Sequence, residues 1–299
     1  MSVPASTDRV RRFLLEEHPV RGQIVQLEGA WAALREHAHY PPAVRDLLGE
    51  AIAAAVLLAS TLKFEGGLTL QIQGDGAVRL LVVQCTHDFR VRGVAQYDGT
   101  RLAPGFAQLT GNGLMTVTIE SVQGGAPYQG IVRLEGGSLA TCIDAYFATS
   151  EQLPTHVRLA ADASRAGGLL VQRLPGGGEG TVSQAQDDTA WQRVREHAAQ
   201  LDAHDLLYAP AESLARRSAT VDDVRLFAGS PVRFECRCSR ERVLGVLRAL
   251  GEEEVQSVLR EQGKVTATCE FCHRPYEFDA IDVAQLFGPP PVPVPDRLN

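Results

Sequence analysis

The amino-acid sequence predicts an α+β fold: a mixed N-terminal domain of hairpin-linked strands with helices packed on them, a helical linker, and a small C-terminal domain rich in cysteine. Three observations predict it. Up to about Leu174, β-rich runs alternate with turn residues and outnumber the helical stretches. The run "PGGGEG" from Pro175 then breaks the pattern as a flexible junction, with neither the lysine nor the Ser/Thr of a phosphate loop. Beyond it, four of the chain's six cysteines gather in "FECRC" and "CEFC". The implied limits are residues 1–176 for the N-terminal domain, 177–232 for the linker, 233–288 for the C-terminal domain and 289–299 for an extended proline-rich tail.

The elements follow in order. "QIVQLEG" reads as a strand and "AWAALREHAHY" as a short helix, which Tyr40-Pro41-Pro42 ends. A proline suits the first turn of the next helix, expected from 43 to about 63. "LTLQIQGDGAVRLLVVQC" reads as a hairpin with Asp75-Gly76 in a tight primed turn. Strands are expected at 89–95, 113–122, 128–134, 156–161 and 168–173. One helix, "LATCIDAYFATS", interrupts them, with Ser138 as its N-cap. In the linker, Trp191, Val194, Ala198 and Leu201 recur at helical spacing, followed by "HDLLYAPAESLARRSATVDDVRLF". Apolar residues are sparse there, so its amphipathic helices need another surface to lie on. In the C-terminal domain Ser239 caps a helix that runs through Leu250 and ends at Gly251; "EEEVQSVLREQ" forms a second that ends at Gly263. "KVTATCEFCHRPYEF" then has the look of a zinc-knuckle hairpin that turns at its cysteines.

Composition excludes several function classes. Hydrophobic residues are 44% and charged residues 22% of the 299, an ordinary globular balance. The formal charge of −7 argues against a nucleic-acid surface. Only Lys63 and Lys264 are lysines, so nearly every cation is an arginine. The most apolar run, "AIAAAVLLAS", is bounded by Glu50 and Lys63 and reads as a buried helix, with no membrane span expected. The first twenty residues carry arginines and acids but no apolar leader, so a cytoplasmic, thiol-reducing location is expected. In that compartment paired cysteines point to metal or redox chemistry.

Cys236, Cys238, Cys269 and Cys272 form C-x-C, thirty residues, then C-x-x-C. Two close pairs brought together by a folded spacer satisfy the four-thiolate tetrahedron that zinc prefers. Structural zinc supplies about 10–16 kcal/mol of apparent folding free energy in small motifs, against about 5–15 kcal/mol for a whole domain. One Zn2+ is therefore the expected cofactor, and its loss should unfold the C-terminal piece. Cys272-His273 also completes a C-x-x-C-H string, but the second cysteine pair competes with a haem reading. A thioredoxin-like pair would sit before a helix in a βαβ setting, and here it lies in a hairpin-like run. Cys85 and Cys142 fall in apolar runs and read as inert core residues. A zinc-bound thiolate stays nucleophilic toward oxidants, and each close pair holds an internal partner for a disulfide. A C-x-C disulfide closes a very short ring, an arrangement that favours ready reduction. Spacing alone leaves a purely structural zinc site open.

On these cysteines, and on "YPPAVRDLLGEAIAAAVLLASTLKFEGGLTLQIQGDG" and "VRGVAQYDG", the chain resembles the heat shock protein 33 family of redox-regulated bacterial holdase chaperones over essentially its whole length. The resemblance implies a reduced, zinc-bound, inactive monomer. It also implies that oxidation forms Cys236-Cys238 and Cys269-Cys272 disulfides, ejects zinc, unfolds the C-terminal domain and loosens the linker. The exposed surface would then bind unfolding client proteins without ATP, often as a homodimer. The missing nucleotide loop agrees with that expectation. Trp191, Val194, Leu201, Leu206, Leu207 and Leu214 are expected to cover an apolar face of the N-terminal domain until the switch opens.

Two other functions compete. A thiol–disulfide oxidoreductase would use C-x-x-C catalytically. A zinc-ribbon nucleic-acid module needs a basic face, yet residues 233–287 hold eight Lys/Arg against ten Asp/Glu. His37 and His39 lack a paired nucleophile or acid in any recognisable motif, and no catalytic constellation appears elsewhere, so a binding protein without turnover is expected.

Overall fold

The computed structural model describes residues 8–175, 184–219 and 224–288. The glycine-rich run after Pro175, the first residues of the linker and the proline-rich tail lie outside the described residues. The chain divides into two compact units, one ending at Glu235 and one beginning at Cys236.

The first unit opens with β1 (Arg9–Leu15), β2 (Val20–Leu27), α1 (Gly29–Arg35) and α2 (Pro42–Thr61). There follow β3 (Gly66–Gln73), β4 (Val78–Thr86), β5 (Arg90–Tyr97), α3 (Phe106–Thr110), β6 (Leu114–Ser121) and β7 (Tyr128–Arg133). Then come α4 (Leu139–Tyr146), β8 (Thr155–Ala161) and β9 (Ala166–Arg173), and after the junction α5 (Gln184–Gln200), α6 (Ala203–Tyr208) and α7 (Ala211–Ala219). Short strands β10 (Val224–Leu226), β11 (Ser230–Pro231) and β12 (Arg233–Phe234) close the unit. One sheet runs β10-β1-β2-β9-β8, with β11 also on β1; the other runs β12-β5-β4-β3-β6-β7. The mixed α+β class read from the sequence is the class observed.

The centre of the unit is α2. Its sequence is apolar nearly all round, the mark of a helix buried on every side, and thirteen of its residues are buried. Ile52, Val56 and Leu57 pack with Leu70, Ile72 and Val83 of one sheet and with Val25 and Leu170 of the other. The helix is therefore the filling between two sheets. Pro42 begins it as expected, where a missing N–H leaves no helical bond unmade. Ser138 caps α4 through a reciprocal pair with Thr141, and a π-turn over Phe147–Glu151 extends that helix.

The hairpin between β3 and β4 forms, but with Gln73 opposite Leu80 its loop is longer than a two-residue Asp75-Gly76 turn, and the turn is not a primed one. Neither Gly74 nor Gly76 has a positive φ, which a primed turn demands. These glycines serve close approach instead: a Cβ at Gly74 would stand 2.0 Å from the Thr110 carbonyl oxygen, and one at Gly76 2.4 Å from that of Leu109. Asp75 fastens the turn from the same side by accepting the Asn112 N–H at 2.8 Å.

In the second unit α8 (Arg240–Leu250) and α9 (Glu252–Gln262) lead to a hairpin of β13 (Val265–Thr268) and β14 (Pro275–Phe278), then α10 (Ala280–Phe287). Ser239 Oγ accepts the Arg242 N–H at 3.3 Å, Gly251 separates the helices, and Gly263 ends α9 in the left-handed region. The apolar core is small: Leu247, Val255, Val265, Phe278, Val283 and Leu286. Among the described residues no helix is long and apolar enough to cross a membrane.

Glu50 is an acid partly buried on the central helix α2. Burial, and after it Asp46 one turn away, pushes the Glu50 carboxyl up to about 7 from its ordinary 4.5. A raised carboxyl contributes stability that is whole below its ordinary range and is lost as pH rises through its folded value. The first unit should therefore lose stability between about pH 5 and pH 8, and Glu50→Gln should remove that loss, gaining on the order of 3 kcal/mol at the upper end. Chemical denaturation of both proteins across that range checks it; parallel pH profiles would clear Glu50 of the effect.

Candidate metal centre

The second unit brings its four cysteines to one point from two local structures. Cys236 and Cys238 lie just before Ser239, the residue that starts α8. Cys269 and Cys272 lie in the turn between β13 and β14. That turn is closed by the Cys269 N–H donating to the Arg274 carbonyl at 3.1 Å and the His273 N–H donating to the Cys269 carbonyl at 2.8 Å. His273 adopts a left-handed φ of 53°, tolerated by few residues other than glycine, and folds the chain back. It supplies no atom to the cluster. The C-x-x-C-H string thus belongs to turn geometry.

The four sulfurs all lie within 4.8 Å of one another. The nearest contacts run between the pairs: Cys236 to Cys269 at 3.7 Å and Cys238 to Cys272 at 3.4 Å. A tetrahedral zinc with Zn–S bonds of about 2.3 Å holds its sulfurs ~3.8 Å apart, so this set of donors fits such an ion. All six cysteines of the chain are free thiols. Cys85 and Cys142 are buried in the first unit, where burial pushes both thiols up and keeps them protonated.

The sulfurs are not equivalent. Burial pushes the Cys236 and Cys272 thiols up, although a backbone N–H opposes it in each case. Burial also acts on Cys238, but there hydrogen bonds from Tyr276 and from the three neighbouring thiols outweigh it and bring the group down to about 7. The Tyr276 hydroxyl donates to Cys238 Sγ at 3.1 Å and is itself pushed up to about 12 by that bond. Sequence reading missed Tyr276. Its signal was the alternation in "PYEF", which puts Tyr276 and Phe278 on one face of a strand beside the cysteine turn.

The other residues singled out from the sequence belong to the first unit. Trp191, Val194, Leu201, Leu206, Leu207 and Leu214 are all buried, and they pack against Phe13, Ile24, Leu169 and Val171 of the β1-β2-β9-β8 sheet. On β9 successive side chains divide between the two layers: Leu170 joins the α2 core, and Leu169 and Val171 join the linker. Polar anchors fasten the rim of this contact. Gln26 donates to the carbonyls of Leu206 and Ala209 at 3.2 and 2.8 Å, Arg158 to that of Leu201 at 2.8 Å, and Arg165 to that of Leu207 at 3.2 Å. Ion pairs reach the helices themselves: Arg173–Asp188 at 2.5 Å on α5 and Arg11–Glu212 at 2.5 Å on α7.

Comparison with known proteins agrees with this architecture. A family model described as Hsp33 protein matches residues 8–279. The "33 kDa chaperonin" of Methylobacillus flagellatus is 43% identical over 282 residues, covering 94% of each chain. That of Nitrosococcus oceani is 42% identical over 280 residues, again 94% of each. A crystal structure titled 33 kDa chaperonin (heat shock protein 33 homolog), from Thermotoga maritima, superposes with a TM-score of 0.75 at 23% identity, covering 93% of this chain and 97% of that one. At that identity the structural likeness carries the fold.

If the sulfurs are one ligand set, Cys269→Ser should weaken zinc binding by at least about tenfold and loosen the second unit with no oxidant present. Chelator competition and far-UV circular dichroism read both; an unchanged zinc affinity would contradict the ligand assignment.

Proposed function

The chain belongs to the Hsp33 family, and from that premise we propose that it is an ATP-independent holdase chaperone. In this reading it is closed by one zinc ion when reduced and opened by oxidation. The observation that carries the reading is the meeting of four sulfurs in a unit whose apolar core has only six buried residues. Units of that size need a staple. Cys236, Cys238, Cys269 and Cys272 would hold the ion, which when bound supplies the cross-link between the two ends of the unit.

The residues of the chain do the rest. Toward hydrogen peroxide, a cysteine thiolate attacks one oxygen and breaks the O–O bond, becoming a sulfenic acid, and the released hydroxide is protonated to one water. The second cysteine of the pair displaces the sulfenic hydroxyl as a second water, leaving a disulfide. Two electrons pass from two sulfurs to the peroxide. The family pattern puts the bonds within the close pairs, Cys236-Cys238 and Cys269-Cys272. Each such bond removes two ligands, and the small core by itself is too little to keep the unit folded.

The linker follows. Its helices present a thin apolar stripe among charges, so their stability comes from the sheet beneath them. Once released, Phe13, Ile24, Leu169 and Val171 on the sheet and Trp191, Val194, Leu201, Leu206, Leu207 and Leu214 on the linker would form apolar surface for unfolding clients. Homodimers of opened chains would share that surface. Clients are held and not converted, and the reducing cytoplasm is the compartment in which the switch rests closed.

Peroxide should therefore release one zinc per chain, remove four thiols, raise hydrogen exchange across residues 184–219 and suppress aggregation of a heat-denaturing protein. Metal and thiol counts beside light scattering test it. Zinc loss without suppressed aggregation would leave only a structural metal site. A second test needs no oxidant: Leu214→Ala removes buried contacts worth about 2–5 kcal/mol. It should increase exchange in the linker and give partial holdase activity in the reduced, zinc-loaded protein, and unchanged exchange would show that Leu214 does not hold the linker down.

A further inference from the structure

We propose that Tyr276 is a positioning residue of the sulfur cluster that secures Cys238 as a ligand and retards its oxidation; this rests on the zinc-switch reading above. The geometry is specific. Tyr276 lies on β14 opposite Ala267, a small partner that leaves the ring room, and its ring packs partly buried against the core of the second unit. Its hydroxyl donates to Cys238 Sγ at 3.1 Å. Cys236 and Cys272 accept from backbone N–H groups, those of Cys238 and Arg274, which no side-chain substitution removes. The donor to Cys238 is a side chain on the opposite arm of the unit, so this bond spans the two ends that the sulfurs join.

A hydrogen bond donated to sulfur acts on the electrons that matter. It withdraws density from a lone pair and fixes the direction of the others, which steadies the sulfur toward a cation and makes it a poorer nucleophile toward an O–O bond. Partners of this kind change metal affinity by about 10–100-fold when removed. Tyr276 therefore sets how much oxidant is needed before Cys238 is lost from the ligand set.

Tyr276→Phe keeps the ring and its packing and deletes only the donor. In the full-length, zinc-loaded chain it should bind zinc about tenfold more weakly by competition with a chromophoric chelator. It should also release zinc several-fold faster under the same peroxide, with its far-UV spectrum unchanged. Zinc affinity and release rate both equal to those of the unsubstituted protein would overturn the proposal. A measurement on the unsubstituted protein is independent of any folding defect: in slow alkylation of the zinc-loaded protein, where all four ligands are thiolates, followed by mass spectrometry, Cys238 should react more slowly than Cys236 and Cys269, which are likewise partly buried. Equal rates would count against Tyr276. An unsubstituted protein that binds no zinc at all would overturn the switch reading itself, a failure distinct from either of these.

Discussion

Four sulfurs within 4.8 Å are a demanding arrangement for a polypeptide to hold. Thiols pack as small hydrophobes and bond weakly to one another, and a second thiolate beside a first is opposed by repulsion as well as by burial. Burial pushes Cys236 and Cys272 up for this reason. A cation reverses every one of these terms at once, converting four mutually unfavourable groups into ligands. The thirty residues between Cys238 and Cys269 are then closed into a loop at both ends. Without that closure, six buried side chains and a two-stranded hairpin must offset the entropy of the whole segment.

The first unit is built on the opposite principle. Its α2 core is sealed between two sheets and includes residues from nearly every strand around it, so nothing on the outside decides whether it folds. The β1-β2-β9-β8 sheet is nevertheless covered on both faces, and its two covers differ in kind. One is the helix at the centre of the fold. The other is a linker with ten apolar residues packed on the sheet among those described, nine on three helices and Leu201 between two of them, fastened at its rim by side chains that reach its backbone carbonyls. In the proposed opening, a stability gradient of this form would let one layer leave while the other stays. Apolar surface would then be presented by a folded scaffold, which a molten chain could not do without aggregating itself.

Local chemistry was the part of this fold legible in the sequence. Ser138 and Ser239 as caps, Gly251 and Gly263 as stops, and Pro42 at a helix start each act within a few residues, and each stands where their side-chain chemistry dictates. The cysteine spacing was legible because few other needs place thiols two and three apart. What failed were the features decided at a distance. Asp75-Gly76 carries the composition of a primed turn, but its glycines answer to the 109–111 backbone packed on them. Strand β1 was not read, since its arginines mask a strand whose Phe13 and Leu15 are inward only because a linker some two hundred residues later covers them. Helix α10 was also missed although Asp279 caps it with Asp282, a signal that was present and not used. Tyr276 shows the same limit at the site: the strand alternation was visible, but the sulfur it meets lies thirty-eight positions away.

In the proposed function the two designs would become one device through a difference in energy scale. Zinc contributes about 10–16 kcal/mol to a small folded unit, as much as a whole domain's margin, so in the proposed switch loss of ligands would not soften the second unit by degrees but move it across its folding transition. The chemistry that removes the ligands is covalent and reversible, since thiol exchange returns each disulfide to two donors. A docked linker needs no such large term. Helices too sparse in apolar residues to stand alone are held by contacts near the limit of stability, and a modest change in what adjoins their sequence is enough to shift their population. In the proposed switch, a strong lock on one unit and a weak cover on the scaffold of the other would turn oxidation at sulfur into a large change in exposed surface while leaving the α2 core intact.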